Sequence, residues 1–264
     1  MKKQNILLLI LTGVVLTFCS NNAYKDSAKY LIKNFDKSYG DCGSASNNCV
    51  TISIEYPTFT YAKNQAVVDT LNARISKMIL QPVFQVKSKS LEELSDTLIN
   101  DYKRFKKKFP DSPSRYELER IVNVLLNQHG IISLEYAENY FLGGAHPNSV
   151  RTFLNINANS GGKISLSDLL ISGFEKRINN IAEIEFRKVR LLKPDDDLGK
   201  AGFWFKDNKF LLNENFLITK DGLTFYFNDY EIAPHSVGPT EIKLKYDEIK
   251  DLINPEGLLA SKLK

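Results

Sequence analysis

No HExxH, GxSxG or GxxxxGK(S/T) pattern occurs in this sequence, no internal repeat is found, and no second apolar run follows the first. These absences remove a zincin metal helix, a nucleophile elbow, a phosphate loop and a membrane-spanning body from the readings available. "FLGGAH" and "GGKI" hold glycine pairs without the lysine and hydroxyl that a phosphate loop needs. Histidine is scarce, at three residues. A metal centre would require His146 and His235 to meet a carboxylate such as Asp229 or Glu231, and no short spacing ties two such ligands to one element. The expectation is that the two histidines stay apart. Ser149 follows His146 by three positions but has no identifiable orienting acid. Carboxylates for glycoside hydrolysis are plentiful at 31, and abundance alone does not single out a pair. The reading is therefore of a chain without catalytic residues, metal or cofactor. The formal charge of +4 includes Lys2 and Lys3, which is too slight to point to nucleic acid.

What is present begins with "MKKQNILLLILTGVVLTFCSNN". Lys2 and Lys3 precede an apolar run from Ile6 to Phe18 that is short for a stable span, so residues 1–18 read as a signal peptide for export. Cys19 follows Leu16-Thr17-Phe18, a sequence that resembles a bacterial lipobox, in which the cysteine is lipidated. Phe18 stands where a small residue is usual, and cleavage near Ala23 is the alternative. The polar stretch after Cys19 suits a tether, which favours lipidation and a membrane-anchored protein of the cell envelope. Three cysteines are an odd set for an exported chain. With Cys19 committed to lipid, Cys42 and Cys49 remain, bracketing "GSASNN", and a bridge is expected in an oxidising compartment. Residues 19–49 thus read as tether and disulfide loop, linker-like to about Tyr39.

The body, 50–264, is ordinary for a globular protein at 43% hydrophobic and 25% charged residues. "VTISIEYPTF" alternates as a strand ended by Pro57. Val67, Val68, Leu71, Ile75, Met78 and Ile79 recur at helical spacing, with Pro82 beyond. Ser90 to Glu93 forms a capping box for a second helix whose stripe is Leu91, Leu94, Leu98, Tyr102 and Phe105. Its basic end, Lys103 to Lys108, suits the helix dipole. From Tyr116 the period changes to two long strands joined at Asn127 to Gly130, then a third strand, "VRTFLNINA". Ser167 or Asp168 is expected to cap a short helix, and Phe174 to Leu191 a longer one. "NFLITKDGLTFYF" is a hairpin, "TEIKLKY" a strand and "YDEIKDLI" a final helix. Grouped rather than alternating elements predict an α+β fold with a largely antiparallel sheet and a few packed amphipathic helices. The expected sub-parts are about 50–112 and 113–264.

"YFLGGAHPNSV" concentrates two glycines, a histidine and a proline. At a strand end, Gly143 and Gly144 let the chain bulge, and Gly144 is expected to hold a positive φ. Pro147 biases His146 to extended backbone. A sheet-turning device with a hydrogen-bonded His146 is the preferred reading.

Three stretches together carry a resemblance: "ISIEYPTFT…VVDTLNARI", "YFLGGAHPNSVRTFLNIN" with "GGKISLSDLL", and "NFLITKDGLTFYFNDYEIAPHSVGPTEIKLKYDEIKDLI". They look like the extracellular domain shared by the lysozyme-sensing anti-sigma factor RsiV and the N-terminal part of the peptidoglycan deacetylase PdaC. The resemblance spans about Val50 to Ile253. The anti-sigma factors carry a sigma-binding segment and a membrane span before this domain, and the deacetylase a catalytic domain after it. The resemblance therefore implies the sensing or binding module alone, on a lipid anchor, with lysozyme-like proteins or peptidoglycan as partners. The alternative is an envelope hydrolase acting on cell-wall material. The candidate ligand surface is Gly143, Gly144, His146 and Pro147 with Tyr230, Glu231, Pro234, His235 and Gly238. Family members commonly carry an aromatic at the position of His235.

Overall fold

The computed structural model describes residues 27–43 and 48–260. Residues 1–18, read from the sequence as a signal peptide, and Cys19 lie outside the described residues. Two antiparallel-rich sheets, each with its own hydrophobic cluster, make an α+β fold.

The first sheet has five strands in the order β1 (Lys29–Asp41), β2 (Asn48–Tyr61), β3 (Tyr116–Gln128), β4 (Ile131–Leu142) and β5 (Asn148–Asn157). Every pairing is antiparallel except β2 with β3, whose parallel register runs from Val50↔Tyr116 to Glu55↔Ile121. That parallel step needs a long connection. It is made by α1 (Gln65–Ile79) and α2 (Leu91–Lys108), which cover one face of the sheet. Val50, Ile52 and Ile54 of β2 and Leu118 and Val122 of β3 meet Leu71 and Ile75 of α1 and Leu94 and Leu98 of α2. Leu71 and Leu98 have no exposed surface, and burying a side chain of that size contributes about 1.5–3 kcal/mol. The alternating positions Thr51, Ser53, Glu117 and Glu119 fall on the opposite face by the period of two.

Local signals place these elements. Asn64 caps α1 by accepting from the Val67 N–H at 3.0 Å. Ser90 caps α2, accepting from the Glu93 N–H at 3.1 Å, and the Glu93 carboxylate reaches back to the Lys89 N–H at 2.7 Å, one residue before the reciprocal partner of a capping box. Between β3 and β4, His129 and Gly130 both hold positive φ, 54° and 77°, as a two-residue hairpin turn with strand twist requires. In the basic end of α2, Lys106 donates to Pro110 O and Ser112 O, so one of its charges serves a helix stop.

In the second unit α3 (Glu175–Val189) packs Ile178, Ala182 and Phe186 onto the sheet of β6 (Phe216–Ile218), β7 (Gly222–Phe227) and β8 (Thr240–Lys245), and α4 (Tyr246–Ile249) closes the chain's last strand. Phe186 is ringed by Phe203, Phe205 and Phe210 at centroid distances of 4.9–5.4 Å. Three asparagines join the units. Asn228 accepts from the Arg151 N–H at 2.7 Å, Asn215 accepts from the Phe153 N–H at 2.8 Å, and Asn155 accepts from the Ile218 N–H at 2.9 Å. The outer edge of β5 is thereby satisfied by side chains at Arg151 and Phe153, and by the backbone of 162–164 at Asn155 and Asn157.

Four sequence expectations are corrected. Residues 29–41, taken as part of a tether, form β1; as an edge strand with Leu31 63% and Ile32 50% exposed, it has no buried periodicity to betray it. Pro57 does not end β2, because β3 stops pairing at Glu55 while β1 continues past the proline. The division between sub-parts falls between β5 and α3, not near residue 112, because β3 returns alongside β2 and joins the first cluster. Neither Ser167 nor Asp168 caps a helix from the front; Leu166–Asp168 is a single 3₁₀ turn in which the Asp168 carboxylate accepts from Ser165 N and Oγ at 2.8 and 2.6 Å.

Candidate functional site

Two loops meet at the end of the large sheet where β4 passes into β5. The first is 143–147. Gly143 has φ +77°, and a Cβ there would lie 3.3 Å from Cε1 of Tyr116. Gly144 is the correction: its φ is not positive and a Cβ would meet nothing within 4 Å. The left-handed position of this loop is Gly143, not Gly144. His146 Nδ1 donates to Pro147 O at 2.8 Å, which leaves Nε2 of the neutral ring as the acceptor for the Tyr230 hydroxyl at 3.4 Å.

The second loop follows β7. Its shape is fixed from several sides. Glu231 accepts from Asn228 N at 2.8 Å and from Asn213 Nδ2 at 2.7 Å, so its carboxylate is occupied in holding the turn. Tyr230 sits at φ 62°, a conformation costly for a bulky side chain. Pro234 leads into the 3₁₀ turn His235–Val237, and Gly238 leaves it at φ 72°. Arg190, at the end of α3, spreads its guanidinium over Val237 O, Gly238 O and Pro239 O at 2.8–3.1 Å and over the Thr240 hydroxyl. Nothing in the local sequence signals that clamp.

The structure brings together what was expected to stay apart. The rings of His146 and His235 stack with centroids 4.4 Å apart and planes 8° from parallel. His235 also stacks on Tyr230 at 5.6 Å and 17°. Asp229 Oδ2 lies 3.3 Å from His235 Nδ1, while Asp229 Oδ1 is buried with no hydrogen-bond partner among the described residues. Facing rings direct their nitrogens in parallel planes, not at one point, and no group of three His, Cys, Asp or Glu among the described residues is placed to hold a metal ion. Ser149 is turned away, its hydroxyl donating to Asn139 Oδ1 at 2.7 Å. The arrangement is an aromatic and imidazole surface with one carboxylate behind it.

Beside this surface, and sharing Pro147, a trough of about 510 Å³ runs across the sheet face not covered by helices. Asp36, Glu117 and Glu119 line it with Asn139 and Phe141. Each carboxylate already has a partner: Ser53 Oγ to Asp36 at 2.7 Å, Arg115 to Glu117 at 2.8 Å, Asn139 Nδ2 to Glu119 at 2.8 Å. Sequence reading missed this face because its acids lie on two strands, β1 and β3, about 80 residues apart in the chain and separated in the sheet by β2. Cys42 and Cys49 are bridged, with Cα atoms 5.2 Å apart, closing the ends of β1 and β2. Such a bridge belongs to an oxidising compartment. No helix among the described residues is long and apolar enough to cross a membrane.

These features define an α+β domain in two units with a loop surface at their junction. A family described as "Deacetylase PdaC" matches residues 44–149, and one described as "Protein of unknown function (DUF3298)" matches residues 167–247. The chain is 22% identical to the peptidoglycan-N-acetylmuramic acid deacetylase PdaC of Bacillus subtilis, over 98% of this chain and 51% of that protein. It thus spans about half the length of that relative. A DUF3298 structure from Bacteroides fragilis superposes with TM-score 0.71 at 17% identity, covering 91% of this chain and 99% of the other. A second, from Pseudomonas aeruginosa, gives 0.61 at 20% identity over 87% and 96%. Together these matches support a PdaC/DUF3298-like domain family, with residues 44–149 PdaC-like and 167–247 DUF3298-like.

Proposed function

We propose that this protein is a lipid-anchored cell-envelope module that binds a ligand without turning it over, and that the ligand is a basic, lysozyme-type protein. One observation carries the reading: the point where the chain enters the fold and the loop surface lie at opposite ends of one strand. Ala28 N–H and O are both held by the Asn127 side chain, at 3.0 and 2.8 Å, and Ser27 Oγ accepts from the Gly130 N–H at 3.1 Å. That pins the chain at the β3–β4 turn. The 143–147 loop lies at the far end of β4, 12 residues away, which is about 40 Å along a strand. A tether from Cys19 would hold one end near a membrane and present the other outward.

The trough favours a protein over an anionic wall polymer. Asp36, Glu117 and Glu119 outnumber Lys37 among the ionisable residues that line the trough, and an acidic excess on a concave face favours basic partners over acidic ones. Peptidoglycan, the substrate in the deacetylase's name, is the second candidate ligand, and hydrolysis of wall material the alternative activity.

Immobilised protein comprising residues 24–264 is to be incubated with purified lysozymes and with peptidoglycan. The expected result is salt-sensitive retention of a lysozyme with no release of sugar from the wall material. Release of muropeptide or acetate by the purified protein would establish the alternative. Separately, Cys19→Ala is expected to move the protein out of the detergent-extracted membrane fraction.

A further inference from the structure

We infer that the uncovered face of the first sheet selects guanidinium groups, so that its partner docks through arginine rather than lysine side chains. This deepens the reading given under Proposed function and rests on it for the partner being a basic protein. The face is laid out in rows. Register partners run Asp36↔Ser53↔Glu119↔Asn139↔Ser149, one residue from each strand, at the spacing of about 4.8 Å between neighbouring strands. The next row is Ser38↔Thr51↔Glu117↔Phe141, and Pro147 lines the same trough.

Within the first of these rows the protons are spent along the row itself. Ser53 Oγ donates to Asp36 Oδ1 at 2.7 Å, Ser149 Oγ donates to Asn139 Oδ1 at 2.7 Å, and Asn139 Nδ2 donates to Glu119 Oε2 at 2.8 Å. Both hydroxyl protons and one amide proton are thereby used. What the row offers outward is Asp36 Oδ2, Glu119 Oε1, the hydroxyl lone pairs and a single N–H of Asn139. Lys37, the cation along the trough, is drawn to the opposite face, where its Nζ lies 2.8 Å from Asp96 of α2. Arg115 engages one oxygen of Glu117 and leaves the other. A strip of acceptors complements a group that only donates.

Ammonium and guanidinium both only donate, and shape separates them. An ammonium is a compact, strongly hydrated point charge, served best by oxygens gathered around one centre. Asp36 and Glu119 are not gathered: β2 lies between their strands, which sets their backbones about 10 Å apart. A guanidinium is a planar fork of five N–H donors that is weakly hydrated and stacks on flat surfaces, so laid along the row it reaches two acceptors at once. Phe141 and Pro147 supply the flat apolar flank beside them.

Two capped peptides of equal charge, tri-arginine and tri-lysine, are titrated into the isotope-labelled full-length protein and followed by NMR. The Asn139 side-chain amide and the backbone amides of Asp36, Ser53 and Glu119 are expected to shift. The arginine peptide should act at about fivefold lower concentration, the worth of one further hydrogen bond. Asp36→Asn combined with Glu119→Gln keeps the shape of the row and removes both charges; in it these shifts are expected to be lost. Equal response to the two peptides would overturn the inference, as would shifts centred elsewhere on the molecule. The wild-type comparison decides the matter even if the double variant fails to fold. A lysozyme retained by immobilised protein whose row ignores tri-arginine would sink the inference and leave the reading under Proposed function standing. Tri-arginine on the row with no lysozyme retained would uphold the inference and sink that reading.

Discussion

The guanidinium of Arg120, 1% exposed within the first core, donates from Nε to Glu138 Oε2 at 2.6 Å and from Nη1 to the Ile79 carbonyl at 2.8 Å. The same carboxylate oxygen accepts from the Tyr136 hydroxyl at 2.8 Å. Arg120 and Glu138 are register partners on β3 and β4, and Ile79 is the last residue of α1, so one side chain ties a helix end to the sheet beneath it. Burial pushes the Tyr136 phenol well up, its largest cause, with the Glu138 charge adding and Arg120 opposing.

Removing one member of such a buried pair strands the other. Arg120→Ala is expected to destabilise by about 3–5 kcal/mol. Replacing both Arg120 and Glu138 by apolar residues of similar volume should cost less than the single change. Urea denaturation of the three variants is the check.

The two glycines of the 143–147 loop should behave differently. Gly143→Ala forces a side chain into positive φ beside Tyr116 and is expected to cost about 1–3 kcal/mol. Gly144→Ala meets open space and should stay within about 0.5 kcal/mol of wild type. Thermal melts of the pair suffice. Equal costs would show that the positive φ at Gly143 does not distinguish the two positions.

Reduction of Cys42–Cys49 should lower stability by about 2–3 kcal/mol on the chain-entropy estimate for so short a loop. Folding should survive, because β1 remains paired to β2 from Lys29 to Gly40. Denaturation midpoints with and without reductant measure the loss, and non-reducing mass spectrometry should find the two thiols bonded in exported protein.

Tyr116 gives a pH dependence with a definite sign. Burial, then the Asp101 carboxylate that accepts from its hydroxyl at 3.3 Å, pushes the phenol up to about 12 from a usual value of 10.0. A raised folded value means the protonated phenol supports the fold fully below about pH 10, and that support is lost as pH rises through about 12. Denaturation midpoints between pH 8 and 12 should fall over that window. Tyr116→Phe should flatten the fall, although Tyr102 and Tyr246, raised chiefly by burial as well, keep part of the slope.

The sequence by itself determined most of the local structure. Helical spacing from Val67 to Ile79, the Ser90 cap and the turn at His129-Gly130 were legible because each depends on residues within a few positions of one another. The family resemblance was legible for the same reason, carried by contiguous strings. Edge strand β1 was not, since a strand that buries little leaves no alternation to read. Nor was the joint made by Asn155, Asn215 and Asn228, whose partners lie 61–77 residues away. The candidate site divides likewise. Gly143, His146, Tyr230 and His235 were singled out one by one, but which glycine carries the positive φ depends on how Tyr116 packs beneath the loop. That the two histidines stack was decided only by tertiary structure: 89 positions separate them, and they meet because Arg190 and Glu231 fix the 228–240 loop within the second unit while the asparagine joint holds that unit against β5.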